Sequence, residues 1–197
     1  MKRRAAAGLF VALVLVFPRH PAKAETFFFK GAPQDSVATA LIIDQPQQLQ
    51  RFFGRIETKD DVDYYTFAAS KDMAISLSLE IPTGDTNFHP SITLFGPGLQ
   101  KPNEDPVIEI GDANGAIVEE EPKQPTTRRD GFLLTSFFEG PYIKTTAPQD
   151  ATYAIAVRAP DGSSGRYVLH VGTQDSWDWN NFFVNIWNTT RAILRMY

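Results

Sequence analysis

The chain contains no cysteine, which excludes disulfides, thiol catalysis, zinc knuckles and thiolate-held iron–sulfur clusters. Histidine is scarce, with three in 197 residues. Long apolar runs are scarce too. The longest, residues 5–17, has 13 residues, against the roughly 20 that a membrane-spanning helix needs. Positive charge is thin in the body of the chain. Five of the 19 bases (Lys2, Arg3, Arg4, Arg19 and Lys23) precede the first acid, Glu25, and the remaining 14 face 23 acids, a balance of −9. A body that acidic is poorly suited to gripping nucleic-acid phosphates, so nucleic acid is not an expected partner. What is present is ordinary for one globular domain: 43% hydrophobic, 21% charged and 12% aromatic residues.

Residues 1–24 read as a secretory signal. Lys2, Arg3 and Arg4 form a charged start, the apolar run follows, and Ala22-Lys23-Ala24 matches the small-x-small cleavage rule. The rival reading is an uncleaved N-terminal anchor, favoured by Pro18-Arg19-His20-Pro21. The expected location is outside the cytoplasm: periplasmic, envelope-associated or extracellular. A cysteine-free exported domain must rely on its core rather than on disulfides. The 173 residues after the signal are enough to bury roughly 70% of the surface of the unfolded chain.

From residue 56 to 172 the dominant signal is two-residue alternation. Ile75, Leu77, Leu79 and Ile81 alternate with Ser76, Ser78 and Glu80, which turns one face inward and one toward water. Tyr153, Ile155 and Val157 repeat the pattern, as do Tyr167, Leu169 and Val171, with Tyr65 and Phe67 a shorter case. Further strands are expected at 51–56, 91–95, 107–110 and 137–145. Breakers such as Pro82-Thr83-Gly84-Asp85 and Pro160-Asp161-Gly162 separate them. Many short strands between such turns predict an all-β antiparallel sandwich or barrel, and alternation on one face favours two sheets sharing a core.

Two segments depart from this economy. Residues 96–131 carry five prolines and Glu119-Glu120-Glu121, and only 107–110 and 116–118 are expected to pair there. A connection this long is either surface decoration or a ligand-contacting loop. At the C-terminus, Trp179, Phe182, Phe183, Ile186, Trp187, Ile193, Leu194 and Tyr197 mostly follow helical spacing, with Asn and Arg falling largely between. That predicts an amphipathic helix within 174–197, docked on the sandwich, on a partner or in a membrane interface. Trp179, Phe183, Ile186, Trp187 and Leu194 would make that membrane or partner contact. The expected organisation is thus signal (1–24), linker and first strand (25–50), sandwich (51–173) and helix (174–197).

Four stretches resemble one known family. Lys59-Asp60-Asp61-Val62-Asp63-Tyr64-Tyr65-Thr66-Phe67 resembles the D-V-D-Y-Y-x-F strand start of bacterial pre-peptidase C-terminal domains. These are small jelly-roll-like sandwiches found beside secreted proteases. His89 to Pro97 resembles the family's D-P-x-L-x-L-x-x-P strand, Ala151 to Val157 its G-T-Y-Y-I-x-V strand, and Gly165 to Val171 its closing G-x-Y-x-L-x-V. The matches stand in the family's order over about residues 52–172. The resemblance implies a jelly-roll-like sandwich. In some members it also implies calcium held through an acidic N-terminal linker, and tyrosines that contact collagen or other extracellular polymers. The linker here is thinner, with only Asp35 and Asp44 as carboxylates between 35 and 50, and no peptidase domain accompanies the module in these residues.

Asp60, Asp61 and Asp63 are the candidate calcium ligands, since calcium takes six to eight oxygens. The plainer reading of the same residues is an acidic turn that starts a strand, and otherwise no cofactor is expected. Tyr64, Phe138 and Tyr142 are the candidate ligand-binding aromatics, weighed against simple core filling. His170 falls on the outward phase of its strand and is expected to be solvated. No G-x-S-x-G or H-E-x-x-H pattern occurs. The leading expectation is therefore an exported, non-catalytic binding or adaptor module at the cell envelope. Its expected partner is an extracellular polysaccharide or protein, or a membrane surface. A freely secreted binding module and a hydrolase of unrecognised type are the rivals.

Overall fold

The structure, a computed structural model, describes residues 26–29, 34–100, 115–120, 122, 124–130, 133, 135–173 and 190. The expected signal (1–24), the expected strand at 107–110 and the expected C-terminal helix with Trp179, Phe183, Ile186, Trp187 and Leu194 lie outside the described residues. Eleven strands are described: β1 (Thr26–Phe29), β2 (Leu41–Ile42), β3 (Gln50–Ile56), β4 (Asp63–Ala69), β5 (Ala74–Pro82), β6 (Ser91–Gly96), β7 (Gly115–Glu120), β8 (Thr127–Asp130), β9 (Thr135–Thr146), β10 (Ala151–Arg158) and β11 (Gly165–Val171). They form two sheets, ordered β1-β3-β11-β5-β9-β8 and β2-β4-β10-β6-β7. Consecutive strands swap sheets except at β6/β7 and β8/β9, which is the jelly-roll-like winding of a sandwich.

Two edge pairings depart from the antiparallel expectation: β1 runs parallel to β3 and β2 parallel to β4. The reason is topological. The chain rises in one sheet, returns in the other and rises again, so strands two apart in sequence re-enter the same sheet in the same direction. The linker is accordingly part of the sandwich, with Ile43 in its core.

The predicted alternation is realised in the inner faces. Ile75, Leu77, Leu79 and Ile81 are buried against Tyr65, Phe67, Ile92, Leu94, Tyr153 and Ile155 of the facing sheet. A polar link crosses this core between the sheets. The phenol oxygens of Tyr65 on β4 and Tyr167 on β11 lie 2.8 Å apart, and Tyr167 donates to Asp63 Oδ2 at 2.5 Å. Burial raises both phenol pKa values well above 10, so both hydroxyls stay neutral. Gly54 opens the space for Tyr167, since a Cβ there would sit 2.3 Å from its phenol.

The outer faces are more covered than one-face alternation predicts. On the six-stranded sheet, Phe137 and Val168 are buried together with Leu133. On the other, Tyr64, Phe95, Ala116, Ala154 and Ala156 form a cluster under Ala40 and Val62. Strand β8 is also an addition to the expected set, because Thr-Arg-Arg-Asp has no apolar residue for a two-residue period to reveal. Beyond its ladder to β9 it is held by charge. Asp130 meets Arg51 at 2.5 Å with both side chains 5% exposed. In strand order β3 and β8 stand four steps apart, about 19 Å in a flat sheet. Asp130 also holds Leu133 over the outer face, its Oδ1 accepting from Leu133 N–H at 2.9 Å.

Gly54→Ala should lower unfolding free energy by about 1–3 kcal/mol, the usual cost of overpacking a core. Urea denaturation measures this, and the added cost should shrink when Tyr167 is first shortened to Leu.

Candidate functional site

Asp61 follows the acidic turn and Asp63 opens β4, and their carboxylates come to one side. The linker lies alongside, because Tyr64 N–H donates to the Gln34 carbonyl at 2.9 Å. That contact delivers Asp35. Carboxylate oxygens of Asp35, Asp61 and Asp63 all lie within 4.8 Å of one another. Asp60 is exposed in the turn and outside the cluster, so the expected trio gives way to one that takes its third member from the linker. Asp61 also acts as a turn acid, its Oδ2 accepting from Glu57 N–H at 2.9 Å. Oxygens at this spacing can share one hard cation at calcium's ordinary contact distances. Asp35 was visible in the sequence only as one of two linker carboxylates; the register that brings it to Asp63 was not.

The three candidate aromatics part company. Tyr64 is only 8% exposed. Its ring meets Phe95 edge-on at 6.3 Å, under Ala40 and Val62. It faces away from the main core as alternation requires, yet the linker covers it. Phe138 pairs with Ile81, and Tyr142 with Ser78. An even spacing of four would place both rings on one side of β9. A bulge opposite Ser78 and Glu80 prevents this, at Gly140-Pro141, where proline has no N–H for the ladder. The extra residue sends Phe138 inward, to the wall of a cleft of about 380 Å³, and leaves Tyr142 outward and 54% exposed.

Tyr142 joins a row across the outer face of the six-stranded sheet. Ser78 lies between Tyr142 and His170, and His170 pairs with Arg51. Lys144 and Ser76 form the next row. His170 is not simply solvated, since its Nε2 lies 3.0 Å from Glu80 Oε2 and its side chain is 11% exposed. Arg128 reaches the other Glu80 oxygen at 3.2 Å. Burial pushes the Glu80 pKa up, but the His170 hydrogen bond and the charges of His170, Arg128 and Arg51 outweigh it and hold the carboxyl below its ordinary value.

No family model matches the chain, and no curated protein matches it. Among solved structures, one is the pre-peptidase C-terminal domain of a collagenase from Bacillus anthracis. The chain is similar to it. The identity is 15%, covering 66% of this chain and 91% of that one, with a TM-score of 0.37. A second is CorA, described as a surface-associated copper-binding protein important in copper acquisition by Methylomicrobium album BG8. Identity there is 11%, covering 78% of this chain and 99% of that one, with a TM-score of 0.36. Among the described residues, no helix is long and apolar enough to cross a membrane.

Because its folded pKa is depressed, Glu80 contributes stability that is present above its ordinary value of 4.5 and lost as pH falls through the lower folded value. The stability difference between the natural chain and Glu80→Gln should therefore be widest near neutrality and narrow steadily in acid. Chemical denaturation across a pH series measures it.

Proposed function

We propose that this chain is an exported, non-catalytic binding or adaptor module of the cell envelope that holds an extracellular polysaccharide or protein on the outer face of its six-stranded sheet. The observation that carries this reading is Tyr142. A large amphipathic ring is set in solvent by a bulge in a long strand, among the hydroxyls of Ser76 and Ser78 and the cation of Lys144. A rigid ring with polar neighbours suits stacking on a sugar face or packing on an extended protein. The charged start, apolar run and cleavage pattern of residues 1–24 support export, and the aromatic spacing of 174–197 supports attachment to a membrane or partner.

Asp35, Asp61 and Asp63 complete the proposal as a site for calcium. The ion would cross-link the linker to the start of β4 and relieve the repulsion of three close carboxylates. Its role would be to fix the linker rather than to react.

Tyr142→Ala should leave the melting temperature nearly unchanged, because the ring is mostly in water. It should weaken retention on insoluble cell-wall polysaccharide or fibrous protein by about tenfold or more, as loss of an aromatic anchor does. Equal retention of both chains in a pull-down would remove the sheet face as the contact. Separately, millimolar calcium should raise the melting temperature and a chelator should reverse the rise, with Asp35→Asn abolishing the difference. A melting temperature indifferent to calcium would rule out the cation.

A further inference from the structure

A different place in the fold carries a second site. The cleft of about 380 Å³ lies at one end of the sandwich, where the β5–β6 turn, the end of β7, the start of β9 and the β10–β11 turn meet. Its volume falls within the range of about 300–1,000 Å³ typical of ligand pockets. The apolar wall comes from Phe138, Pro90, Pro122, Pro125 and Pro160, with Phe88 buried among the lining residues. The polar lining is dominated by carboxylates: Asp85, Glu120 and Asp161.

These acids are not equivalent. Asp85 is taken by Arg166, which holds it at 2.8 and 3.0 Å through Nε and a terminal guanidinium nitrogen. Asp161 is set by its own turn, accepting from Ser163 N–H at 2.9 Å. Slight burial pushes its pKa up, but the Ser163 hydrogen bonds and the charge of His89 hold it below its ordinary value, so it is ionised at neutral pH. Glu120 is exposed at the end of β7, and among the described residues no cation pairs with it.

We propose that this cleft binds a basic side chain of a protein partner, an arginine or lysine whose stem lies on Phe138 and the prolines and whose charged head meets Glu120 and Asp161. The choice of a cation over a sugar follows from hydrogen-bond chemistry. Sugar hydroxyls both donate and accept, and need donors in the wall. Ionised carboxylates only accept, while guanidinium and ammonium groups only donate. With Asp85 held by Arg166, the cleft still offers the carboxylates of Glu120 and Asp161 against few side-chain donors, chiefly Thr86 and His89. A long apolar stem ending in a cation also matches an apolar wall with an acidic rim, and the Phe138 ring attracts a cation over its face. The site is separate from the Tyr142 face, so it stands or falls independently of the reading above.

The test is binding of a short capped peptide, Arg-Gly-Arg-Gly-Arg, to the purified chain, followed by calorimetry at low and high salt. Binding should be measurable at low salt and weaken as salt is added. The double variant Glu120→Gln/Asp161→Asn should bind about tenfold more weakly, the sum of two partly exposed charge contacts. Glu120→Gln alone should give an intermediate loss with an unchanged melting temperature, which separates loss of binding from loss of fold. Tyr142→Ala should bind the peptide as the natural chain does. Undetectable peptide binding, affinity unaffected by the double variant, or preferential binding of a neutral oligosaccharide such as cellotetraose would each overturn the proposal.

Discussion

The two layers of this sandwich are joined inside the core by a pair of buried hydrogen bonds, the Tyr65–Tyr167–Asp63 link. A buried hydroxyl or carboxylate without a partner costs about 1–3 kcal/mol or more, so these three groups stabilise the fold only in each other's company. The geometry is demanding. Tyr167 fits because position 54 has no side chain, and Asp63 is reached because β4 begins at that residue. The same carboxylate then sits at the edge of the acidic cluster with Asp35 and Asp61. Core packing and candidate cation site are thus coupled through a single residue, and the inward phase of β4 decides both.

Outside the core, coverage of the two outer faces decides which surfaces remain available. The linker lies over the five-stranded sheet and covers Tyr64 and Phe95. Leu133 packs on part of the six-stranded sheet and covers Val168 and Phe137. This second cover is fastened by the buried Arg51–Asp130 pair. Such a pair adds little net stability over an apolar substitute, but breaking it is expensive, so it favours this one closure over looser alternatives. Among the described residues, Tyr142 on the six-stranded sheet stays open, as does the cleft at the end of the sandwich.

Much of this was legible from residue order. Alternation in 75–81, 153–157 and 167–171 located β5, β10 and β11 and their inner faces, because side chains on a pleated strand change sides at every residue. The four family-like stretches fell on β4, β6, β10 and β11 in the expected order. The candidate sites were less legible. Alternation identifies which ring leaves the core, as with Tyr64, but not whether another segment lies above it. Strand β8 carries no apolar residue, and beyond its ladder to β9 its hold on the sheet comes from charges on β3 and β5 that no local pattern reveals.

The sequence by itself determined the strand-rich, two-layered character of the domain and the identity of most of its core, since both follow from local periodicity and turn chemistry. It also determined the signal-like start, the helical spacing at the end and the acidic balance of the body. Only the tertiary structure decided that Asp35 rather than Asp60 joins Asp61 and Asp63, and that Tyr64 is covered. The bulge at Gly140-Pro141 decided, too, that Phe138 and Tyr142 face opposite ways. Each of these turns on which distant segments lie side by side and in what register. A shift of one residue there reverses a side chain's face while leaving the local composition unchanged.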